Sequence, residues 1–283
     1  MIRRLAESPQ RGGHTVLAFQ RFQIGKLVAA KSTNVIERNS LFDYHVTMRT
    51  LKRSCIVFFL AVVIALANTA VEPATREGNW MGRHEGFVAE AKQGGIDVLF
   101  MGDSITDGWR NRGKAVWDRE YAPFKAANFG IGGDRTQHVL WRLRNGEGEG
   151  YQPKAIVLMI GTNNTGRERD GTVRNTTPEI VEGVTAVVQE LRGRFPEAKV
   201  LFLAIFPRGE KDDPRRAQIA DINKQLAKLH DGNYVHYLDI GSAFLEADGT
   251  LPKEVMPDLL HPNEKGYEIW ADAIREPLKQ LLQ

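Results

Sequence analysis

With one cysteine in 283 residues, two classes of structure drop out. Cys55 has no partner for an intramolecular disulfide and cannot assemble a cysteine-based zinc site. A strong charge bias is missing too: 38 Lys and Arg stand against 35 Asp and Glu, a formal net charge of +3. So small an excess, spread along the chain, argues against a nucleic-acid partner. No apolar run is long enough to span a bilayer either. The run Cys55–Ala67 has 13 residues, whereas a crossing takes about 20.

Several catalytic patterns are incomplete. His84-Glu85 has no second histidine four residues after the first, which removes the zinc-protease motif. Gly130-Ile-Gly132 opens a dinucleotide fingerprint, but Arg135 stands where its third glycine belongs. No Gly-Lys-Ser/Thr closes a phosphate loop, and Ser104 lies in Gly102-Asp-Ser-Ile-Thr106, where an α/β-hydrolase elbow would need a second glycine at 106.

What is present is material for a soluble globular domain, with 42% hydrophobic and 26% charged residues. The apolar run at 55–67 follows Arg49, Lys52 and Arg53 and precedes the small residues up to Ala70, the three-part layout of a secretory signal. A removed signal is favoured over a permanent membrane anchor, and a lipoprotein is disfavoured because its cysteine would have to follow the run. Such signals begin chains, so Met48 is the expected start. The expected organisation is an extension over 1–47, a signal peptide over 48–70, a linker over 71–82 and one domain over 83–283, secreted or periplasmic.

Within that domain, apolar runs at 97–102, 126–130, 155–160, 199–205 and 234–239 read as five strands buried on both faces. Ile180, Val184, Val187, Val188 and Leu191 recur at helical spacing, as do Ile219, Ile222, Leu226 and Leu229. The last helix carries Ile269, Trp270, Ala273 and Ile274, and Pro277 is expected to kink or interrupt it. Alternating strands and helices predict an α/β fold, a parallel sheet covered on both sides. Ligands of such sheets bind beyond the carboxyl ends of the strands.

Those ends carry Gly102-Asp-Ser-Ile-Thr-Asp-Gly108, Gly130-Ile-Gly-Gly-Asp134 and Gly161-Thr-Asn-Asn164, with Asp258-Leu-Leu-His261 before the last helix. A Gly-Asp-Ser turn alone is more often a helix cap than a nucleophile. Four polar clusters on one edge are harder to explain as caps. A serine needs a base, and imidazole suits that task near neutral pH. Of the seven histidines, only His261 has an aspartate three residues earlier, close enough to orient its ring. His138, His230 and His236 lack that spacing and read as structural. Gly132 and Gly133 can expose backbone N–H groups, Asn163 offers an amide, and the Ser104 N–H completes a set of oxyanion donors. For the Gly132-Gly133 pair, a simple tight turn is the competing explanation.

These four blocks, in this order, resemble the SGNH or GDSL-type hydrolases. The stretches Asn128–Asp134, His138–Leu143 and Gly161–Asn164 are similar to one branch of that family, the catalytic subunits of platelet-activating factor acetylhydrolase Ib, over roughly residues 80 to 282. The resemblance implies Ser104 as nucleophile, His261 as base and Asp258 as its orienting partner. It implies Ser104, Gly133 and Asn163 as the oxyanion hole, a flavodoxin-like three-layer α/β/α sandwich, and no cofactor. Ile105 follows the nucleophile where the eponymous leucine would stand. In that family Ile105, Thr162 and Leu260 would line the acyl site, and medium-sized side chains there point to a short acyl group, acetyl first. Trp109 is a candidate wall for a sugar subsite, with a core role as the alternative.

The expected function is a serine esterase removing a short acyl group from a small-molecule or polysaccharide ester. Carbohydrate esters lead because an exported enzyme meets polymers, and lysophospholipids follow. The same triad could pass its acyl group to an alcohol, as an acyltransferase. A noncatalytic carbohydrate-binding module is the reading from another class, and the full catalytic set speaks against it. A homodimer is a candidate assembly.

Overall fold

The computed structural model describes residues 68–283. The expected extension, the start at Met48 and the signal's apolar run lie outside the described residues.

Five strands form one parallel sheet: β1 (Val98–Gly102), β2 (Ala126–Gly130), β3 (Ala155–Met159), β4 (Lys199–Leu203) and β5 (Val235–Leu238), in the order β2-β1-β3-β4-β5. Val98 stands opposite Ala126 on one side and Ala155 on the other. Successive side chains of a strand point to opposite faces, and the two cores divide accordingly. Leu99, Met101, Ile156, Leu158, Val200 and Phe202 face one layer of helices, while Val98, Phe100, Val157, Met159, Leu201 and Leu203 face the other.

The first layer holds α1 (Trp80–Gln93), α4 (Thr136–Arg142), α5 (Thr177–Arg194) and α6 (Pro214–Leu226). The second holds the short α2 (Ser104–Asp107), α3 (Lys114–Glu120) and the long α7 (Glu264–Leu281). The result is the expected α/β/α sandwich. In α5 the predicted stripe of Ile180, Val184, Val187, Val188 and Leu191 is buried. Its start is fixed by the Glu179 carboxylate, which accepts the Thr176 N–H at 2.7 Å, a capping-box contact.

Three sequence expectations need correction. Pro277 lies inside α7, which continues to Leu281. Proline removes one backbone donor, and burial of Ile274 and Leu278 on either side holds the last turn in place. The supposed linker at 71–82 is no free arm: Trp80 already opens α1 and is buried, and Arg76 is bound to the turn after β2. Trp109 is no subsite wall, because it is fully buried among Trp117, Tyr121, Tyr267 and Trp270.

Candidate active site

Three adjacent strands, the edge strand β2 with its neighbours β1 and β3, each deliver one piece of the site. β1 ends at Gly102, where a Cβ would strike Thr106 Oγ1 and the Met159 carbonyl, so only glycine lets the chain turn so close to β3. Asp103 then caps α2 by accepting the Ile105 N–H at 2.9 Å, and Ser104 is the first residue of that helix. An N–H in the first turn has no intrahelical acceptor, which leaves that of Ser104 free for a ligand.

β2 ends at Gly130, whose missing side chain admits the backbone of Asp107. The next turn brings Gly132 against the nucleophile, with its Cβ position 3.8 Å from Ser104 Cβ. Gly133 has φ +80°, a conformation glycine adopts without steric cost. After β3, Gly161 (φ +121°) begins the turn that carries Asn163, whose side-chain amide donates to the Asp134 carbonyl at 2.9 Å. One of its two N–H groups is thereby fixed and the other remains available.

The fourth piece comes from the loop before α7. His261 Nε2 lies 2.9 Å from Ser104 Oγ, and its Nδ1 lies 2.6 Å from Asp258 Oδ2. Asp258 Oδ1 accepts the N–H groups of Leu260 at 3.1 Å and His261 at 2.7 Å. These partners select the tautomer: Nδ1–H donates to the carboxylate, and Nε2 is left to accept the serine proton. Burial disfavours the charged Asp258, but the hydrogen bonds from His261 and Leu260 and the charge of His261 outweigh it and hold the carboxyl below its usual range. The loop contains Leu259 at φ +56°, a strained conformation for a residue with a branched side chain. Its carbonyl is anchored by the Gly209 N–H at 2.8 Å.

Ser104, His261 and Asp258 form one hydrogen-bonded chain; Gly132, which precedes Gly133, lies against Ser104, and Asn163 is tied to the carbonyl of Asp134, which follows Gly133. Of the expected acyl-site residues, Ile105 and Thr162 are 1% exposed and Leu260 is half-buried. His138 is structural as expected. It accepts the Arg135 N–H at 3.0 Å, and burial followed by the charges of Arg76, Arg135, Arg142 and Arg174 pushes it down to about 3.

Sequence reasoning missed a buried charged network behind the turn after β2. Asp134 is 0% exposed and accepts from Trp80 Nε1 at 2.8 Å and Arg76 Nη1 at 2.9 Å. Arg142, also 0% exposed, places Nε 2.9 Å from Asp134 Oδ2 as an ion pair, although that N–H is not aimed for a hydrogen bond. It also donates to Glu147 Oε2 at 2.6 Å and to the Phe129 carbonyl at 2.9 Å. His84 Nδ1 lies 2.7 Å from Glu147 Oε1. One signal was available: Arg142 follows Val139 by three residues, on the apolar face of α4. Burial also dominates at Asp103, beside the nucleophile, and raises it to about 7.

Among the described residues no group of three or more His, Cys, Asp and Glu is arranged to hold a metal ion. No helix among them is long and apolar enough to cross a membrane.

The model of the GDSL-like lipase/acylhydrolase family matches residues 100–269. Platelet-activating factor acetylhydrolase IB subunit alpha2 of Homo sapiens is 39% identical over 215 residues, covering 76% of this chain and 90% of the relative. The human alpha1 subunit is 37% identical over 76% of this chain and 89% of its own length. Among solved structures, a putative acylhydrolase of Bacteroides fragilis superposes with TM-score 0.58 at 21% identity, over 74% of this chain and all of that one. An acetyl xylan esterase, AlAXEase, superposes with TM-score 0.51 at 24% identity, over 65% and 100% of the two chains.

Proposed function

The chain belongs to the GDSL-like lipase/acylhydrolase family and is a carboxylic ester hydrolase, and from that premise we propose that it removes a short acyl group, acetyl first, through Ser104, His261 and Asp258. The observation that carries this reading is the continuous chain from Ser104 Oγ to His261 Nε2 and from His261 Nδ1 to Asp258, at 2.9 and 2.6 Å. In the first step Ser104 Oγ attacks the ester carbonyl while His261 Nε2 takes its proton, and Asp258 stabilises the imidazolium. The N–H groups of Ser104 and Gly133 and the amide of Asn163 receive the developing oxyanion. Collapse expels the alcohol, protonated by His261, and leaves an acyl-enzyme. Water then repeats the sequence, with His261 as base, and releases the acid.

Acetyl is favoured over longer chains by the near-complete burial of Ile105 and Thr162, which leaves little surface to receive an extended tail. The 39% identity to an acetylhydrolase over most of its length points the same way. For the alcohol we favour a carbohydrate, on the reading that the run at 55–67 is an export signal beginning at Met48. The same relatives favour a second reading, an acetylated phospholipid. Hydrolysis of a 4-nitrophenyl ester series should fall steeply beyond short acyl groups, and equal rates on acetate and decanoate would reject the short-acyl claim. Comparing acetylated xylan, pectin and acetylated phospholipid then separates the two alcohols, and release of transferred rather than free acetate in the presence of a sugar would mark an acyltransferase.

A further inference from the structure

The segment from Asn68 to Asn79 contains no strand or helix, yet it is bound along its length to the residues around the proposed oxyanion donors. Asn68 Nδ2 donates to Glu182 Oε2 at 2.8 Å and the Glu179 carbonyl at 3.2 Å on α5. Thr69 Oγ1 accepts from Asn175 at 3.1 Å. Ala70 is 0% exposed, and its carbonyl accepts the buried Thr136 hydroxyl at 2.7 Å. Ala74 N–H reaches the Gln137 carbonyl at 3.2 Å. Arg76 Nη1 donates to the Gly132 carbonyl at 2.7 Å and to Asp134 at 2.9 Å.

Helix α5 is itself adapted to this crossing. Gly183 lies on its buried face, where glycine costs a helix about 1 kcal/mol relative to alanine. A Cβ there would come within 2.8 Å of Ala70 Cβ and 2.6 Å of Thr136 Oγ1. Close approach of the segment requires the glycine.

The partners of the segment are neighbours of the two oxyanion donors outside the nucleophile turn. Gly132 precedes Gly133, and the Gly133 Cβ position is 2.8 Å from Arg76 Nη2. The Asp134 carbonyl holds Asn163. Asn164 Oδ1 accepts the Thr136 N–H at 3.2 Å, and its amide donates to Asn175 at 2.9 Å. We propose that Asn68–Asn79 is a strap that positions the oxyanion hole, so that removal of an export signal falls before Asn68 and not after Ala70, and that Arg76 is the positioning residue through which the strap fixes Gly133. This rests on the role given above to Gly133 and Asn163.

The test compares Arg76→Ala, Arg76→Lys and Gly183→Ala with Asn163→Ala, all in the full chain and assayed on 4-nitrophenyl acetate. Loss of the guanidinium should lower kcat about 10-fold or more, since one misplaced oxyanion donor costs about 100-fold. KM should change less than about threefold and the acid limb of the pH profile should stay in place, because neither reports the hole. Both present Arg76 contacts are made by one nitrogen, so Arg76→Lys should recover most of kcat. Gly183→Ala should lower kcat without touching the site. If Asn163→Ala lowers kcat while Arg76→Ala and Gly183→Ala do not, the strap has no such role. An Asn163→Ala variant with unchanged kcat would instead sink the oxyanion assignment on which the strap depends. Should Arg76→Ala fail to fold, Gly183→Ala alone decides.

Discussion

The two sides of Ser104 are built on opposite principles. On the side of the proposed oxyanion donors, the turn after β2 is backed by Asp134, Arg142 and Glu147, all 0% exposed, and is bound by Arg76. On the side of the proposed base, the Asp258 side chain is 55% exposed and that of His261 is 22% exposed, in a loop whose Asp258 accepts the Leu260 and His261 amides. Donors that stabilise an oxyanion work because they are already in place when charge develops, and buried ion pairs with few alternative geometries keep them there. A general base must take and return a proton and let alcohol leave and water enter, so exposure costs it little. The difference matches rigidity to one task and access to the other.

The comparison breaks at its centre first. Ser104→Ala should lower turnover by on the order of 10⁴-fold or more and abolish covalent labelling by a fluorophosphonate. Labelling that persists in this variant would reject Ser104 as the nucleophile and leave both sides without a function. The next largest effect separates the sides by stability. Arg142→Leu leaves Asp134 with Arg76 and Trp80 and Glu147 with His84 but removes their shared cation, and losing one partner of a buried pair costs up to about 3–5 kcal/mol. Asp258→Asn, at a half-exposed pair, should cost less than about 1 kcal/mol. Urea denaturation of the two variants measures the contrast, and equal losses would show that the oxyanion side carries no special reinforcement. Asn163→Ala should lower kcat by about 100-fold with the fold intact.

Legibility in the sequence followed the same division. The five strands were readable because each is a short, mostly apolar run between turn residues, and their observed limits differ from the expected ones by at most two residues at either end; β5, at the edge, departs from burial on both faces, with His236, Tyr237 and Leu238 half-buried. The proposed reacting groups stood out because the sheet delivers its strand ends to one edge, and Asp258 and His261 are three residues apart. The reinforcement was not readable. Arg142, Glu147 and Asp134 are charged, and composition assigns charges to the surface; only their three-dimensional pairing makes burial tolerable. The strap was hidden for a related reason: it has no periodicity to detect, because its backbone and side chains bond to α4, α5 and the turn after β2 rather than to a neighbouring strand or its own helical turns. That Pro277 does not interrupt α7 was not readable, because a helix-breaking residue was judged without the burial of Ile274 and Leu278 around it.

The smallest effect on turnover, and the finest test of the comparison, lies in the two carboxyl groups that flank the nucleophile. Asp103 is fully buried, and burial raises it to about 7, whereas hydrogen bonds hold the exposed Asp258 below its usual range. An unfolded aspartate loses its proton near about 3.9. Between about 4 and 7 the folded chain therefore keeps a proton on Asp103 that the unfolded chain has released, so this group's contribution to stability falls as pH rises across that window. Asp258 acts in the opposite sense: its contribution is present above about 4 and is lost as pH falls through its lowered folded value. The windows do not overlap, which lets one titration resolve both. Asparagine caps a helix about as well as aspartate, so Asp103→Asn should leave turnover little changed while removing the Asp103 decline from the melting temperature between about pH 4 and 7, read as the difference between the two chains because buried His138 adds a rise over much of that window in both. Asp258→Asn should leave that decline intact and remove part of the loss at lower pH. A decline unchanged in Asp103→Asn would mean that the buried carboxyl is ionised throughout, and the nucleophile turn would then carry a negative charge beside Ser104 rather than a neutral cap.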